Sequence, residues 1–114
     1  MSERRTKYGN RRVEVCGIVF DSRKEANRYL ELLAMQQAGE ISALEAKPCF
    51  VLAPAVKMGG RTKRAMKYTA DFAYQQDGKR VVEDVKGGKA TATTAYRMRK
   101  HLMMSIHGIE VIEV

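Results

Sequence analysis

Two aspartates and a lysine fall at spacings that could do chemistry within residues 68–87, which read YTADFAYQQDGKRVVEDVKG. A two-residue Asp-Gly turn at 77–78 would make this segment a β-hairpin in which Asp71 faces Asp84. Side chains alternate along a strand, so Lys86 shares the face of Asp84. Cβ atoms of directly opposed residues are about 5 Å apart, and two charges there repel by roughly 3 kcal/mol at an effective dielectric near 20.

A raised pKa, a neighbouring cation or a bound metal must offset this repulsion. Lys86 is one such cation, and a divalent ion such as Mg²⁺ held by two carboxylates would offset it more fully. The plain alternative is a solvated face, and a loop longer by one residue would bring Glu83 opposite Asp71. In the preferred register Glu83 points to the other face, where we interpret it as structural and paired to an arginine.

The same register predicts the two faces of the hairpin. Thr69 is opposite Lys86, and one face carries Thr69, Asp71, Ala73, Val82, Asp84 and Lys86. The other face carries Tyr68, Ala70, Phe72 and Tyr74 as a core layer.

A basic charge balance points to a polyanionic partner. The 114 residues carry a formal net charge of +8. Nucleic acid is the first candidate and an anionic membrane the second, beside a merely solvated basic surface. The cations spread over the N-terminal arm, KMGGRTKR and YRMRKH, which suits contact along a phosphate backbone. The candidate nucleic-acid-binding residues are Arg61, Lys63, Arg64, Lys89, Arg97, Arg99 and Lys100.

The composition is that of one globular domain spanning residues 1–114, with residues 1–12 expected to be a mobile basic arm. No segment is apolar enough to span a membrane, and no signal peptide is apparent. The two cysteines lack metal-site spacing, and we expect reduced, partly buried thiols in a cytosolic protein.

Hydrophobic periodicity, with capping and turn residues marking element ends, predicts an α/β fold in which helices flank a central mixed β-sheet. The predicted order is β-β-α-β-β-β-α-β. The first helix starts after Ser22 and stops at Gly39. Its apolar stripe runs from Ala26 to Leu33, and the second helix turns Ala95, Met98, Leu102 and Ile106 inward. KMGGRTKR is predicted to be a loop, and IEVIEV a closing strand.

The acid followed by acid-x-lysine at Asp71 and Asp84-Val85-Lys86 resembles the PD-(D/E)XK nuclease superfamily. The wider pattern resembles small phage and prophage proteins of that superfamily that are similar to Holliday-junction resolvases. It covers about three-quarters of the chain, including KYG, GIVFDSRKEANRYLEL, GEI and YTADFAY. Ala70 stands where the name-giving proline would be.

The resemblance implies a restriction-endonuclease-like core and a metal-dependent DNA endonuclease. Asp71, Asp84 and the Val85 carbonyl would hold Mg²⁺, for which Mn²⁺ substitutes, and Lys86 would activate water. Glu25 occupies the place of a third, helix-borne acid. Ser22-x-x-Glu25 is also a capping box, which is the competing interpretation.

The resemblance also implies DNA, duplex or branched, as partner, a possible homodimer, and the cytoplasm of a bacterial host. A non-catalytic nucleic-acid-binding module on the same scaffold is the main alternative. A third interpretation, an interaction protein acting on a host factor, leaves the acids unexplained.

Overall fold

The computed structural model of the protein describes residues 3–5, 11–86 and 93–114. Its elements in chain order are β1 (Glu3–Arg5), β2 (Arg11–Val15), β3 (Ile18–Phe20), α1 (Arg23–Gln37), β4 (Ser42–Ala46), β5 (Cys49–Ala53), β6 (Val56–Met58), β7 (Arg61–Lys63), β8 (Met66–Thr69), β9 (Phe72–Gln76), β10 (Lys79–Asp84), α2 (Thr94–His107) and β11 (Val111–Glu113).

A four-stranded sheet forms the centre, in the order β11-β10-β9-β4. β10 and β11 run parallel, whereas β9 is antiparallel to both β10 and β4, so the sheet is mixed. α1 packs on one face and α2 on the other, because buried residues of each helix join a different apolar cluster. The described residues form a small, single-domain α/β fold with a mixed central sheet and two helices.

Both helices start directly after a capping residue. The Ser22 hydroxyl accepts a hydrogen bond from the Glu25 amide at 3.2 Å, and the Thr93 hydroxyl accepts one from the Tyr96 amide at 3.1 Å. These bonds satisfy backbone amides that have no partner within the helix. α2 ends at Gly108, whose left-handed φ of 67° favours glycine. The predicted start of α1 after Ser22 is therefore confirmed, and α1 ends at Gln37, two residues before the predicted stop at Gly39.

The two apolar clusters lie on opposite faces of the sheet. Phe72 and Tyr74 pack with Ala26 and Leu32 of α1, whereas Ala73 and Val82 belong to the cluster that contains Met103 of α2. Aromatic rings fill the α1 side, where Phe20 lies 5.9 Å from Phe72 between ring centroids.

The predicted core layer of four aromatic and small residues on one face is wrong. Tyr68 and Ala70 join the α2-side cluster, opposite to Phe72 and Tyr74. The chain leaves β-ladder geometry at Ala70 and Asp71, where the Ala70 amide donates to the Pro48 carbonyl at 3.0 Å. The expected single strand is thereby split into β8 and β9.

The split also changes strand pairing. Thr69 lies opposite Cys49 of β5, not opposite Lys86 as predicted. Lys47 donates its amide to the Asp71 carbonyl at 2.8 Å, so the segment 47–48 holds the break. These partners are distant in sequence, and the turn at 77–78 carries no information about them.

The predicted inward face of α2 is wrong in part. Met98 and Ile106 are exposed, and Ala95 is exposed as well, whereas Met103 is fully buried. Apolar residues occur around much of this helix, so periodicity alone does not select the face that packs. In α1, Ala26 is buried as predicted, but Leu30 is exposed and Leu32 is buried instead.

The predicted loop KMGGRTKR contains β6 and β7, which pair as a hairpin. Cys16 and Cys49 are free thiols, as expected, but both are exposed rather than partly buried. Residues 3–5 of the predicted arm pair with β2, and residues 1, 2 and 6–10 lie outside the described residues. Neither described helix is long and apolar enough to cross a membrane.

Candidate functional site

The hairpin that carries the acids has the register that its turn predicts. Phe72 of β9 lies opposite Glu83 of β10, and Gln76 lies opposite Lys79. Asp77 and Gly78 have φ values of 53° and 76°, both left-handed, as a two-residue turn with an Asp-Gly sequence requires.

Asp71 and Asp84 come together at the open end of this hairpin. The Asp71 amide donates to Asp84 Oδ1 at 3.1 Å, and the Val85 amide donates to Asp71 Oδ2 at 2.7 Å. Each carboxylate thus accepts a main-chain hydrogen bond from the opposite strand. These bonds fix both side chains at the open end of the hairpin, where Asp71 lies in the break between β8 and β9 and Asp84 ends β10.

Lys86 lies on the same side as Asp84, as strand alternation predicts. Its Nζ is 3.6 Å from Asp84 Oδ2 and 3.6 Å from the ring centroid of Tyr96 in α2. The Tyr68 hydroxyl donates to the same Asp84 oxygen. Asp84 therefore has a cation and a hydroxyl donor, while the ring of Tyr96 covers the ammonium of Lys86.

The backbone around Lys86 is held by the end of the chain. The Lys86 amide donates to the Val114 carbonyl at 3.0 Å, and the Val114 amide donates to the Asp84 carbonyl at 2.9 Å. The Lys24 ammonium of α1 donates a hydrogen bond to the Lys86 carbonyl. Strand β11 and helix α1 together position the acid-x-lysine segment.

Glu25 approaches from the first turn of α1. The Glu25 amide donates to the Ser22 hydroxyl, which is the first half of the predicted capping box. The second half is modified, because the Glu25 Oε2 accepts a hydrogen bond from the Ser22 hydroxyl at 3.3 Å. Burial, followed by the charge of Asp71, raises the pKa of Glu25 to about 7. The electrostatic coupling places Glu25 in the same acidic group as Asp71.

Burial also raises the pKa of Asp71 and the pKa of Asp84. In both cases Lys86 acts in the opposite direction, and so does the main-chain hydrogen bond that each carboxylate accepts. Burial is thus the first cause of both raised pKa values, and the neighbouring cation Lys86 partly offsets it. The remaining cost of ionising three partly buried acids favours binding of a further cation.

Three carboxylates and a main-chain carbonyl are the donor set that hard divalent ions prefer. Within the described residues, however, no group of three or more His, Cys, Asp or Glu side chains is arranged to hold a metal ion. Asp84 Oδ2 is engaged by Lys86 and Tyr68, and Asp71 Oδ2 by Val85. The residue types and the raised pKa values fit a divalent cation, and these carboxylate contacts would have to rearrange to admit one.

Glu83 has a structural partner, as predicted. Glu83 is only 1% exposed. Its carboxylate accepts hydrogen bonds from Arg28 Nε at 2.9 Å and from Arg28 Nη2 at 2.6 Å. The Tyr74 hydroxyl donates to the same carboxylate. This bidentate pair joins α1 to β10 one residue before Asp84 and so holds the site from the opposite face of the sheet.

The predicted nucleic-acid-binding residues lie on two separate elements. Arg61, Lys63 and Arg64 are exposed on and just after β7. Arg97 and Arg99 are exposed on α2. Lys100, on the same helix, forms an ion pair with Glu113 at 3.1 Å. Lys89 lies outside the described residues.

Tyr68, Tyr96 and Lys24 contact the site, and sequence analysis assigned none of them to it. Tyr68 would have been placed on the wrong face by simple alternation. Tyr96 comes from α2, whose predicted inward face did not include it. No local signal links Lys24 to a carbonyl sixty-two positions away.

Comparison with known proteins defines a family but not an activity. The model of a protein family of unknown function, DUF1064, matches residues 5–110 of the chain. The chain therefore belongs to this family. No curated protein and no solved structure matches it.

Proposed function

We propose that the protein is a metal-dependent DNA endonuclease that hydrolyses backbone phosphodiester bonds on a restriction-endonuclease-like core. One observation carries the proposal: two aspartates from adjoining strands interlock at the end of a sheet, with Lys86 3.6 Å from one of them. Glu25 adds a third acid whose pKa responds to Asp71. A hairpin with solvated charges has no need for this degree of burial.

In this proposal Asp71, Asp84, Glu25 and the Val85 carbonyl hold Mg²⁺, or Mn²⁺ in its place. A bound ion of this kind lowers the pKa of water and neutralises charge on the phosphate. The carboxylates must be ionised to bind it, so binding releases the protons that burial favours.

Lys86 has the role of holding the attacking water and stabilising negative charge that develops on the phosphate. Its ammonium is already localised between Asp84 and the Tyr96 ring, which restricts it to one side of the site. Such restriction reduces the reorganisation needed during reaction.

Exposed cations would bind the DNA strands through phosphate contacts, which position a nucleic acid without reading its sequence. The resemblance extends the proposal to phage or prophage DNA processing in a bacterial cytoplasm, with a homodimer cutting two strands. These extensions rest on the resemblance alone.

The test combines cleavage with thermal melting of wild type and Asp84→Asn. Branched, nicked, flapped and linear DNAs are incubated with Mg²⁺, Mn²⁺ or chelator. Wild type should cut at least one of them only with metal, and metal should raise its melting temperature by mass action. Asp84→Asn should lose both effects while keeping its circular dichroism spectrum.

Asp77→Asn is the matched control, because it makes the same change in an exposed turn. It should cut and respond to metal as wild type does. A wild type that shows no metal-dependent shift at millimolar concentrations and cuts none of the DNAs would contradict the proposal.

The second candidate is a non-catalytic nucleic-acid-binding module. The engagement of Asp71 and Asp84 by protein donors favours it, since these contacts satisfy the acids without metal. Salt-sensitive DNA binding without cleavage, equal in wild type and Asp84→Asn, would establish it.

A further inference from the structure

The hairpin of β6 and β7 forms a ribbon that is accessible to solvent throughout. Val56 lies opposite Lys63, and Met58 lies opposite Arg61. Every residue from 54 to 64 is exposed, and Met58 at the end of β6 is 61% exposed. Within the described residues, β6 and β7 form a two-stranded sheet of their own.

The turn of the ribbon is made by Gly59 and Gly60, with φ values of 56° and 77°. Both values are left-handed, which glycine adopts without steric cost. A two-residue turn of this kind keeps the two strands paired up to the tip. The tip is therefore narrow and formed by backbone rather than by bulky side chains.

The ribbon and its flanks carry charge of only one sign. Residues 53–70 contain Lys57, Arg61, Lys63, Arg64 and Lys67, and no aspartate or glutamate. Opposed residues of a strand pair project to the same side, so Arg61 and Lys63 share a face with Met58 and Val56. One face thus combines two cations with two exposed apolar side chains.

This shape and charge fit the major groove of double-stranded DNA. Paired strands are about 4.8 Å apart, and the major groove is about 12 Å wide, which admits a two-stranded ribbon, whereas the minor groove is about 6 Å wide. Cations at the ribbon can bind phosphates, and apolar side chains can contact thymine methyl groups.

We propose that the β6–β7 ribbon enters the major groove of duplex DNA, with Arg61 and Lys63 binding phosphates and Val56 and Met58 facing the groove. The inference deepens the proposed function, since it names double-stranded DNA as the form of substrate. The uniform positive charge disfavours the same ribbon pairing edge to edge with a second copy, because like charges would be opposed.

The experiment measures binding of a fluorescent 20-base-pair duplex by anisotropy in chelator, at several salt concentrations. We expect Arg61→Ala to weaken binding several-fold and to lower the slope of log affinity against log salt by about one. Lys79→Ala removes the same charge from the exposed first residue of β10, outside the ribbon, and should change neither quantity.

The groove is tested on the same protein with blocked duplexes. Glucosylated 5-hydroxymethylcytosine fills the major groove and should weaken binding by wild type strongly, while netropsin in the minor groove should not. Single strands of the same sequence should bind more weakly than duplex. Vesicles of anionic phospholipid should not compete with the duplex for the protein.

Equal effects of Arg61→Ala and Lys79→Ala would overturn the inference, as would inhibition by netropsin alone, preference for single strands, or displacement of DNA by vesicles. The chelator separates this result from catalysis. If Arg61→Ala weakens binding but the protein never cuts DNA, only the nuclease proposal is refuted. If the protein cuts DNA and Arg61→Ala binds with unchanged affinity, only the role of the ribbon is refuted.

Discussion

At the residue scale, backbone amides hold the Asp71 and Asp84 carboxylates in place. Asp71 and Asp84 each accept an amide from the opposite strand, and Lys86 neutralises part of their charge. The pKa of each acid is nonetheless raised by burial. Groups whose ionisation is opposed by their surroundings are common where a protein binds or transforms a ligand.

Lys86→Ala is expected to remove most cleavage while retaining the fold and DNA binding. The ammonium lies 3.6 Å from Asp84, and its loss removes a group that would stabilise charge at the phosphate. Rates should fall by about 100-fold or more, comparable to loss of one preorganised stabilising donor. Single-turnover cleavage and anisotropy with the same duplex provide the measurement.

Lys79→Ala is the control for Lys86→Ala, because it removes a lysine from the exposed first residue of the same strand, β10. Its cleavage rate should match that of wild type. Normal cutting by Lys86→Ala would show that this lysine has only a surface role.

At the scale of elements, the site depends on how α1 and β11 lie against β10. β11 pairs in parallel with β10. Val114, directly after β11, hydrogen-bonds to the backbone of Asp84 and Lys86, on both sides of Val85. α1 is tied to β10 by Arg28 and Glu83, whose carboxylate is almost fully buried. The hydrogen bond to Glu83 is the main cause of a raised pKa for Arg28.

Glu83→Ala and Arg28→Ala should each lower the free energy of unfolding, Arg28→Ala more strongly, by about 3–5 kcal/mol. Removal of the guanidinium leaves a buried carboxylate without its partner, which is the costly half of such a pair. The double change Arg28→Met with Glu83→Leu should recover much of the loss, since it removes both charges and preserves volume. Urea unfolding measures all four proteins.

Glu31→Ala provides the control, because it breaks the exposed bond of Arg28 to Glu31 at 3.3 Å and leaves the buried one. It should cost less than about 1 kcal/mol. If Arg28→Ala costs no more than Glu31→Ala, the buried pair does not hold α1 to the sheet.

At the scale of the whole molecule, pH links stability to the acidic group. The folded pKa of Glu25 is about 7, above its usual 4.5, and those of Asp71 and Asp84 are also raised. A carboxyl whose pKa is raised on folding contributes stability below its unfolded pKa. That contribution is lost as pH rises through the folded pKa.

In chelator, the free energy of unfolding should therefore fall between pH 5 and pH 8. Glu25 is partly exposed, and solvent screening reduces its share to the order of 1–2 kcal/mol. Glu25→Gln should reduce the fall, whereas Glu40→Gln, an exposed acid after α1, should not. Urea unfolding at pH 5, 6, 7 and 8 provides the measurement, and equal slopes for wild type and Glu25→Gln would count against the burial of this acid.

Local sequence was sufficient for the parts of the fold that rest on local chemistry. The Asp-Gly turn predicted the register from Gln76–Lys79 to Phe72–Glu83, and Ser22 predicted the start of α1. The same register correctly put Glu83 on the face opposite to Asp84, where an arginine pairs with it.

Tertiary structure alone decided which faces meet. The break at Ala70 and Asp71 depends on hydrogen bonds to residues 47–48, and the packing of Met103 rather than Met98 depends on the sheet beneath α2. Tyr96 covers Lys86 for the same reason. Turns and caps are governed by neighbours in sequence, whereas a face is chosen by burial against elements that are distant in the chain.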